Sequence, residues 1–164
     1  MGESASATIA ATHLPSGDYQ YTITLDDTGS TPIGTFWFGW VPGEDFLDTM
    51  PSSMMAPAGW TAMSTHMGAS DGFAVEWVAS SPSADLKAGS SLTGFSFVSS
   101  EPPSSVLGDS PFYPGTPEAT SFVYSGMPFS DNGFQFVVQA APPPPRRRLP
   151  LPLPLLAGRR RSGT

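Results

Sequence analysis

Between Tyr19 and Val41 apolar and aromatic side chains recur at every second position, and no other stretch restricts the fold as much. Tyr19, Tyr21, Ile23 and Leu25 alternate with Gln20, Thr22 and Thr24, the period of a strand with one buried face. Asp26-Asp27-Thr28-Gly29 then supplies turn chemistry, because Asp hydrogen-bonds its own backbone and Gly accepts a positive φ. The next strand, Thr35 to Val41, puts Phe36, Phe38 and Trp40 on one face and Trp37 and Val41 on the other. A strand apolar on both faces belongs in the middle of a sheet or beneath a second layer. The two strands together predict a hairpin that opens the domain.

Shorter stretches extend the pattern. Ser4 to Thr12 alternates small and apolar residues and predicts a first, edge strand, and Leu14–Asp18 a turn after it. Gly59–Thr65 and Phe73–Ala79 predict strands, the latter with Phe73, Val75 and Trp77 inward and Glu76 outward, separated by a turn at Gly68–Gly72. Leu92–Val98 alternates Phe95 and Phe97 with Gly94 and Ser96, and Ala88-Gly89 makes a corner before it. Thr120–Tyr124 and Gly133–Gln139 close the series, with a turn around Pro128–Asn132 between them. Two long connections remain. One follows Val41, where Phe46, Leu47, Met50, Met54 and Met55 cap one end of a core; the other, Glu101–Pro117, holds Phe112 and Tyr113 against a sheet. Helical periodicity is missing throughout, and the helix formers Glu, Lys, Leu and Arg are scarce. Seven or eight short strands with frequent turns predict an antiparallel, immunoglobulin-like β-sandwich, with a barrel as the alternative.

The pattern stops at Ala141. From there the chain reads PPPPRRRLPLPLPLLAGRRRSGT, in which successive prolines can neither join a ladder nor continue a helix. Leu149–Gly158 is ten residues, half of the ~20 that a membrane helix needs. Two regions follow: a sandwich domain over 1–141 and a disordered or polyproline-like tail over 142–164, with no membrane span.

Charge is split along the same line. Residues 1–145 carry all fourteen carboxylates against one lysine, Lys87, whereas all six arginines lie in the tail. A body this acidic repels phosphate backbones, which excludes nucleic acid as its partner. There is no cysteine, so thiol catalysis, thiolate metal sites and disulfides are excluded. The amino terminus lacks the basic and apolar regions of a secretory signal.

Catalytic chemistry finds few residues to use. His13 and His66 are the only histidines, both beside turns, and no G-x-S-x-G elbow accompanies them. Glu44, Asp45, Asp48 and Glu76 are carboxylates without a pattern that would set two of them across a cleft. Asp26, Asp27 and Asp131 read as solvated turn residues and not as calcium ligands, so no metal or other cofactor is expected. Among the four tryptophans, Trp40 and Trp77 belong to the core, while Trp37 and Trp60 are the candidates for an exposed stacking platform for sugar rings. Packing of all four is the preferred reading.

Several phrases, GTFWFGWVPG, EWVASSPSADLKAGSSLTGFSFVSS, GDSPFYPGTPEATSFVYSG and FQFVVQA, resemble exported bacterial proteins that end in a PEP-CTERM sorting signal. The resemblance implies export to the cell envelope or extracellular matrix, and processing by an exosortase where the signal is intact. Here Pro142, Pro143, Pro144 and Pro145 stand where that family has Pro-Glu-Pro, and Arg159, Arg160 and Arg161 supply its arginine cluster. The apolar run between them is short and broken by proline, so the tail reads as an eroded or frameshifted signal. A fainter likeness is to cellulose-binding β-sandwich modules. The expected function is non-enzymatic, structural or adhesive, with polysaccharide or matrix components as partners. A carbohydrate-binding module is the alternative, and a hydrolase a distant third.

Overall fold

The computed structural model describes residues 2–66 and 71–154. Among them twelve strand segments run in order: β1 (Ala5–His13), β2 (Tyr19–Asp27), β3 (Thr35–Phe38), β4 (Trp40–Val41), β5 (Glu44–Asp45), β6 (Ser52–Met55), β7 (Trp60–Thr65), β8 (Ala74–Ala79), β9 (Ser91–Ser99), β10 (Thr120–Tyr124), β11 (Phe134–Val137) and β12 (Gln139–Ala140). They form an antiparallel β-sandwich. One sheet has the order β12-β1-β2-β9-β6, the other β11-β10-β3-β8-β7, and β4-β5 is a small separate ribbon.

The opening hairpin is not the one the alternation suggests. β2 pairs with β1 from Ala5↔Asp27 to His13↔Tyr19, and its other neighbour is β9. β3 lies in the opposite sheet between β10 and β8. The Asp27 turn does form, with the Gly29 N–H donating to Asp27 Oδ1 at 3.0 Å. It leads across the sandwich, because Thr28 and Ser30 are tied to Ser4 and Gly2 and Ile33 is buried in a bridge to Leu86. Nor is β1 the edge strand: β12 adds a short parallel pairing at Thr8↔Gln139 and Ile9↔Ala140. Pairing ends there, since Ala141 donates to Ile9 and the prolines that follow have no N–H to give.

Two strands read as continuous are broken, each at one residue. Gly39 has φ of +72°, which ends β3 and reverses the alternation, so Phe36 and Phe38 enter the main core whereas Trp40 turns to the side of Trp37. Gly133–Gln139 is divided at the buried Val138, where the chain passes from β11 in one sheet to β12 in the other. Two further elements were read as loop: β6, which forms the edge beside β9, and a helical turn, α1 (Pro103–Val106).

The core forms where the inner faces meet. Phe95 of β9 contacts Phe36, Trp60 and Trp77 edge-on, with ring centroids 5.3, 5.3 and 5.4 Å away. Such edge-to-face geometry is the favoured arrangement of aromatic quadrupoles. The indole N–H groups of Trp60 and Trp77 reach the carbonyls of Ala84 and Met55, both at 2.9 Å. Phe73, Val75 and Trp77 point inward as read, and Tyr113 sits on Phe46 at 5.4 Å. Residues 142–154 are exposed and without regular structure. Arg159, Arg160 and Arg161 lie outside the described residues, as does most of the Gly68–Gly72 turn. Among the described residues no helix is long and apolar enough to cross a membrane.

Candidate functional site

The outer face of the second sheet carries its own aromatic cluster. Trp37 leaves β3 on this side, and the Gly39 reversal brings Trp40 onto it, so the two rings stack with centroids 3.9 Å apart and planes 13° from parallel. Phe122 and Tyr124 of β10 flank them, with Ala74 of β8 beneath and Val41 at the margin. Phe129, from the turn between β10 and β11, closes the cluster at 5.7 Å from Trp37, 5.8 Å from Trp40 and 5.5 Å from Tyr124. Trp37 Nε1 donates to Thr65 Oγ1 at 3.4 Å; Trp40 Nε1 is buried with no acceptor among the described residues.

This placement agrees with the preferred reading, that all four tryptophans are packed, and corrects the alternative of a platform made by Trp37 and Trp60. Trp37 is 3% exposed and Trp60 6%, so neither indole offers a face to solvent. Trp37 is covered from outside by Phe129, and Trp60 lies in the main core against Phe95. The exposed ring is Phe129, at 61%, with Met127 two residues before it at 66%. Phe129 holds a φ of +62°, a left-handed backbone that costs a phenylalanine on the order of 1–3 kcal/mol. Its turn is anchored by Asp131, which accepts the Ser125 N–H at 2.9 Å and the Gly133 N–H at 2.7 Å. Sequence reasoning treated this segment only as a turn. An aromatic and a methionine within a polar turn were the available signal.

The acidic residues divide into anchors and buried groups. Asp131 and Asp27 hold turns, Asp27 from a buried position and not the solvated one expected of it, and Asp26 accepts the Ser91 hydroxyl. Glu3 joins Asp131 at the Ser125 amide, which it meets at 2.9 Å. Burial first, then the hydrogen bond and charge of Asp131, push Glu3 up to about 7. Burial acts upward on Asp131 too, but hydrogen bonds from Glu3, Ser125 and Gly133 outweigh it and hold the group below its ordinary value. Glu76 does point outward, yet it is buried, directly opposite Trp37 in the ladder, and desolvation raises its carboxyl. Asp45 is buried in the β4–β5 ribbon and accepts the Thr65 hydroxyl at 3.3 Å. Among the described residues no three His, Asp or Glu side chains are grouped as a metal centre.

Each histidine packs against a neighbouring ring, His66 stacked and His13 tilted. His13 lies 4.9 Å from Tyr19 and His66 4.9 Å from Phe73, and His66 Nδ1 meets the Gly72 carbonyl at 2.7 Å. The structure also buries two carboxyl groups that the sequence did not single out, Glu101 and Glu118. Of the four exposed prolines, Pro142, Pro143 and Pro144 line a groove of about 280 Å³ with Ile9, Tyr21 and Leu107, and Pro145 does not.

No protein-family model matches the chain, and no curated protein is similar to it. Among solved structures it is similar to a biomass-sensing module of an Rsgi2 protein of Clostridium thermocellum, described as resembling a family 3 carbohydrate-binding module of the cellulosome. Identity is 13%, the match covers 87% of this chain and all of that one, and the TM-score is 0.41. A likeness at that level carries no argument about ligand or activity.

Proposed function

We propose that this chain is a non-enzymatic domain with a structural or adhesive role at the bacterial cell envelope or extracellular matrix. One observation carries the reading. Phe129 is presented to solvent in a strained backbone, over a base of two stacked, buried tryptophans. A ring that served only packing would gain nothing from exposure. Strain spent on presenting an apolar group is the mark of a contact surface. Export, and a tail derived from a sorting signal, rest on the PEP-CTERM resemblance. Reading the gene in its neighbouring frames tests the second point: no Pro-Glu-Pro followed by an apolar run in either frame refutes it.

The same ring favours a second reading, a carbohydrate-binding module, because the CH face of a pyranose packs on an exposed aromatic. The two separate in one experiment. The purified domain is incubated with insoluble polysaccharides and with extracted bacterial matrix, beside Phe129→Ala and Met127→Ala variants. Retention on pure polysaccharide that is lost in Phe129→Ala supports the module. Retention on matrix alone, again lost in the variants, supports adhesion. Binding to neither surface, or binding that both variants retain, overturns the role given to Phe129.

A further inference from the structure

Glu76 stands in the middle of β8 on the outer face of the second sheet, with Trp37 of β3 opposite it on one side and Met63 of β7 on the other. Neither neighbour serves a carboxylate. The Trp37 indole crosses β8 over Ala74, and its N–H is committed to the Thr65 hydroxyl. Met63 offers a thioether, which has no proton to donate. The hydroxyls nearby on β7 are committed too, Thr61 to the Val78 carbonyl and Thr65 to Asp45. Among the described residues the Glu76 carboxyl therefore makes no hydrogen bond and no ion pair.

A buried carboxyl without a partner calls for a reason. Glu76 is 8% exposed, and burial, with no charge or hydrogen bond contributing, raises it above its ordinary value. Yet its oxygens are not sealed: the fully enclosed side-chain atoms that lack a partner belong to Asp27, Thr31, Trp40, Glu101 and Glu118. The group is desolvated and still open to an approaching ligand. Its surroundings on the surface are apolar, with Met63 exposed at its side and Phe129 exposed beyond the Trp37 indole. The chain brings no cation to it. Lys87, the one lysine of the body, sits in the turn beside Asp27 at the end of the other sheet, and Arg146, Arg147 and Arg148 stay exposed.

We propose that Glu76 anchors a binding site for a basic side chain of a partner protein, an arginine or lysine whose charged head meets the carboxyl while its stem lies along Met63. A cation restores to a desolvated carboxylate what burial removed, whereas a neutral hydroxyl forms a bond about half as strong. Long basic side chains also have the matching build, an apolar stem under a charged head. Aromatic and thioether groups suit such a stem and head as neighbours. The field of the body acts in the same sense: fourteen carboxylates against one lysine draw a basic partner in and turn an acidic one away. The site adjoins Phe129, and the inference rests on the adhesive reading of that ring, for which it names the chemistry of the protein bound.

Titration of the full chain with a hexa-arginine peptide, followed by the amide resonances of Met63 and Glu76 and the indole N–H of Trp37, tests the proposal. The peptide should shift all of these signals. Glu76→Gln, which keeps the shape and removes the charge, should weaken the binding by about tenfold or more. Asp18→Asn, in the turn between β1 and β2, controls for general attraction to an acidic surface, and an equal loss in the two variants overturns the proposal. So does an equal shift from the neutral hexa-citrulline peptide, or a shift from cellobiose where the arginine peptide gives none. In urea Glu76→Gln should be at least as stable as the wild type, since it removes a desolvated charge that nothing pairs. A clear loss of stability would make the carboxyl part of the fold and not a site. If Glu76→Gln binds the peptide as the wild type does while Phe129→Ala loses its retention on matrix, this inference falls and the adhesive reading stands. If Phe129→Ala keeps that retention, the adhesive reading falls whatever Glu76 does.

Discussion

Replacing Gly39 by alanine tests the residue on which the aromatic cluster depends. A Cβ at this position would lie 2.9 Å from Leu47 Cγ, 3.2 Å from Leu47 Cδ2 and 3.3 Å from the Glu118 carbonyl oxygen. The φ of +72° adds a backbone cost of about 1–2 kcal/mol for any residue with a Cβ. Leu47 is buried, so its side chain has little room to yield, and overpacking of such a site costs about 1–3 kcal/mol. Together these predict a loss of about 2–5 kcal/mol, less about 0.4–1 kcal/mol because alanine also restricts the unfolded chain. Gly43 separates the two contributions. Its φ is +88°, but a Cβ there meets nothing within 4 Å, so Gly43→Ala should show the backbone cost alone. Urea titrations of both variants, followed by tryptophan fluorescence and analysed at unchanged m, read the difference. Gly39→Ala should be the less stable by about 1–3 kcal/mol. Equal midpoints would refute the steric argument, and a wild-type midpoint in both would refute the backbone argument as well.

Two further perturbations address the core and the carboxyl groups of Glu3 and Asp131. Phe95→Ala removes the ring that touches Phe36, Trp60 and Trp77 and should cost about 3–5 kcal/mol in the same titration; a loss below about 1 kcal/mol would mean the sheets are not held together there. At the opposite end, Glu3 titrates at about 7, so its contribution to the contact with Ser125 and Asp131 is complete below its unfolded value of 4.5 and disappears as pH rises through 7. The lowered Asp131 works the other way, stabilising above its unfolded value and losing effect as pH falls below it. The Ser125 amide resonance should therefore shift with a midpoint near 7, and Glu3→Gln should abolish that step; a step surviving the substitution would assign the titration to another group.

What could be read from the chain was what depends on one strand at a time. Tyr21, Ile23 and Leu25, or Phe95 and Phe97, declare their buried face by alternation alone, because neighbouring side chains on a strand must point to opposite sides. Pairing is a different matter. Asp26-Asp27-Thr28-Gly29 has the chemistry of a hairpin turn, yet the segment after it crosses to the other sheet, and what decides this is Ile33 meeting Leu86 more than fifty residues away. No local rule contains that contact. β6 was missed for a related reason: Ser52, Ser53, Met54 and Met55 do not alternate, and their order comes from the edge of β9.

The candidate site was misplaced for a sharper physical reason. Period-two reasoning assumes an uninterrupted pleat, and a single residue at positive φ inverts every face beyond it. Gly39 does this between Trp37 and Trp40: without the reversal Trp40 would enter the core and Trp37 would stand alone on the outer face. With the reversal the two indoles stack and are sealed beneath the 127–130 turn, so the ring left exposed comes from a segment with no strand pattern at all. The buried glutamates followed the same logic. A carboxylate in a loop reads as solvated, and only the return of residues 102–117 to their starting point puts Glu101 and Glu118 out of water. In both cases the chemistry lies where distant segments close on one another. If Gly39→Ala returned Trp37 to solvent while the fold survived, the original platform would be restored, and a gain of polysaccharide binding in that variant would show that Phe129 acts as a cover and not as the contact itself.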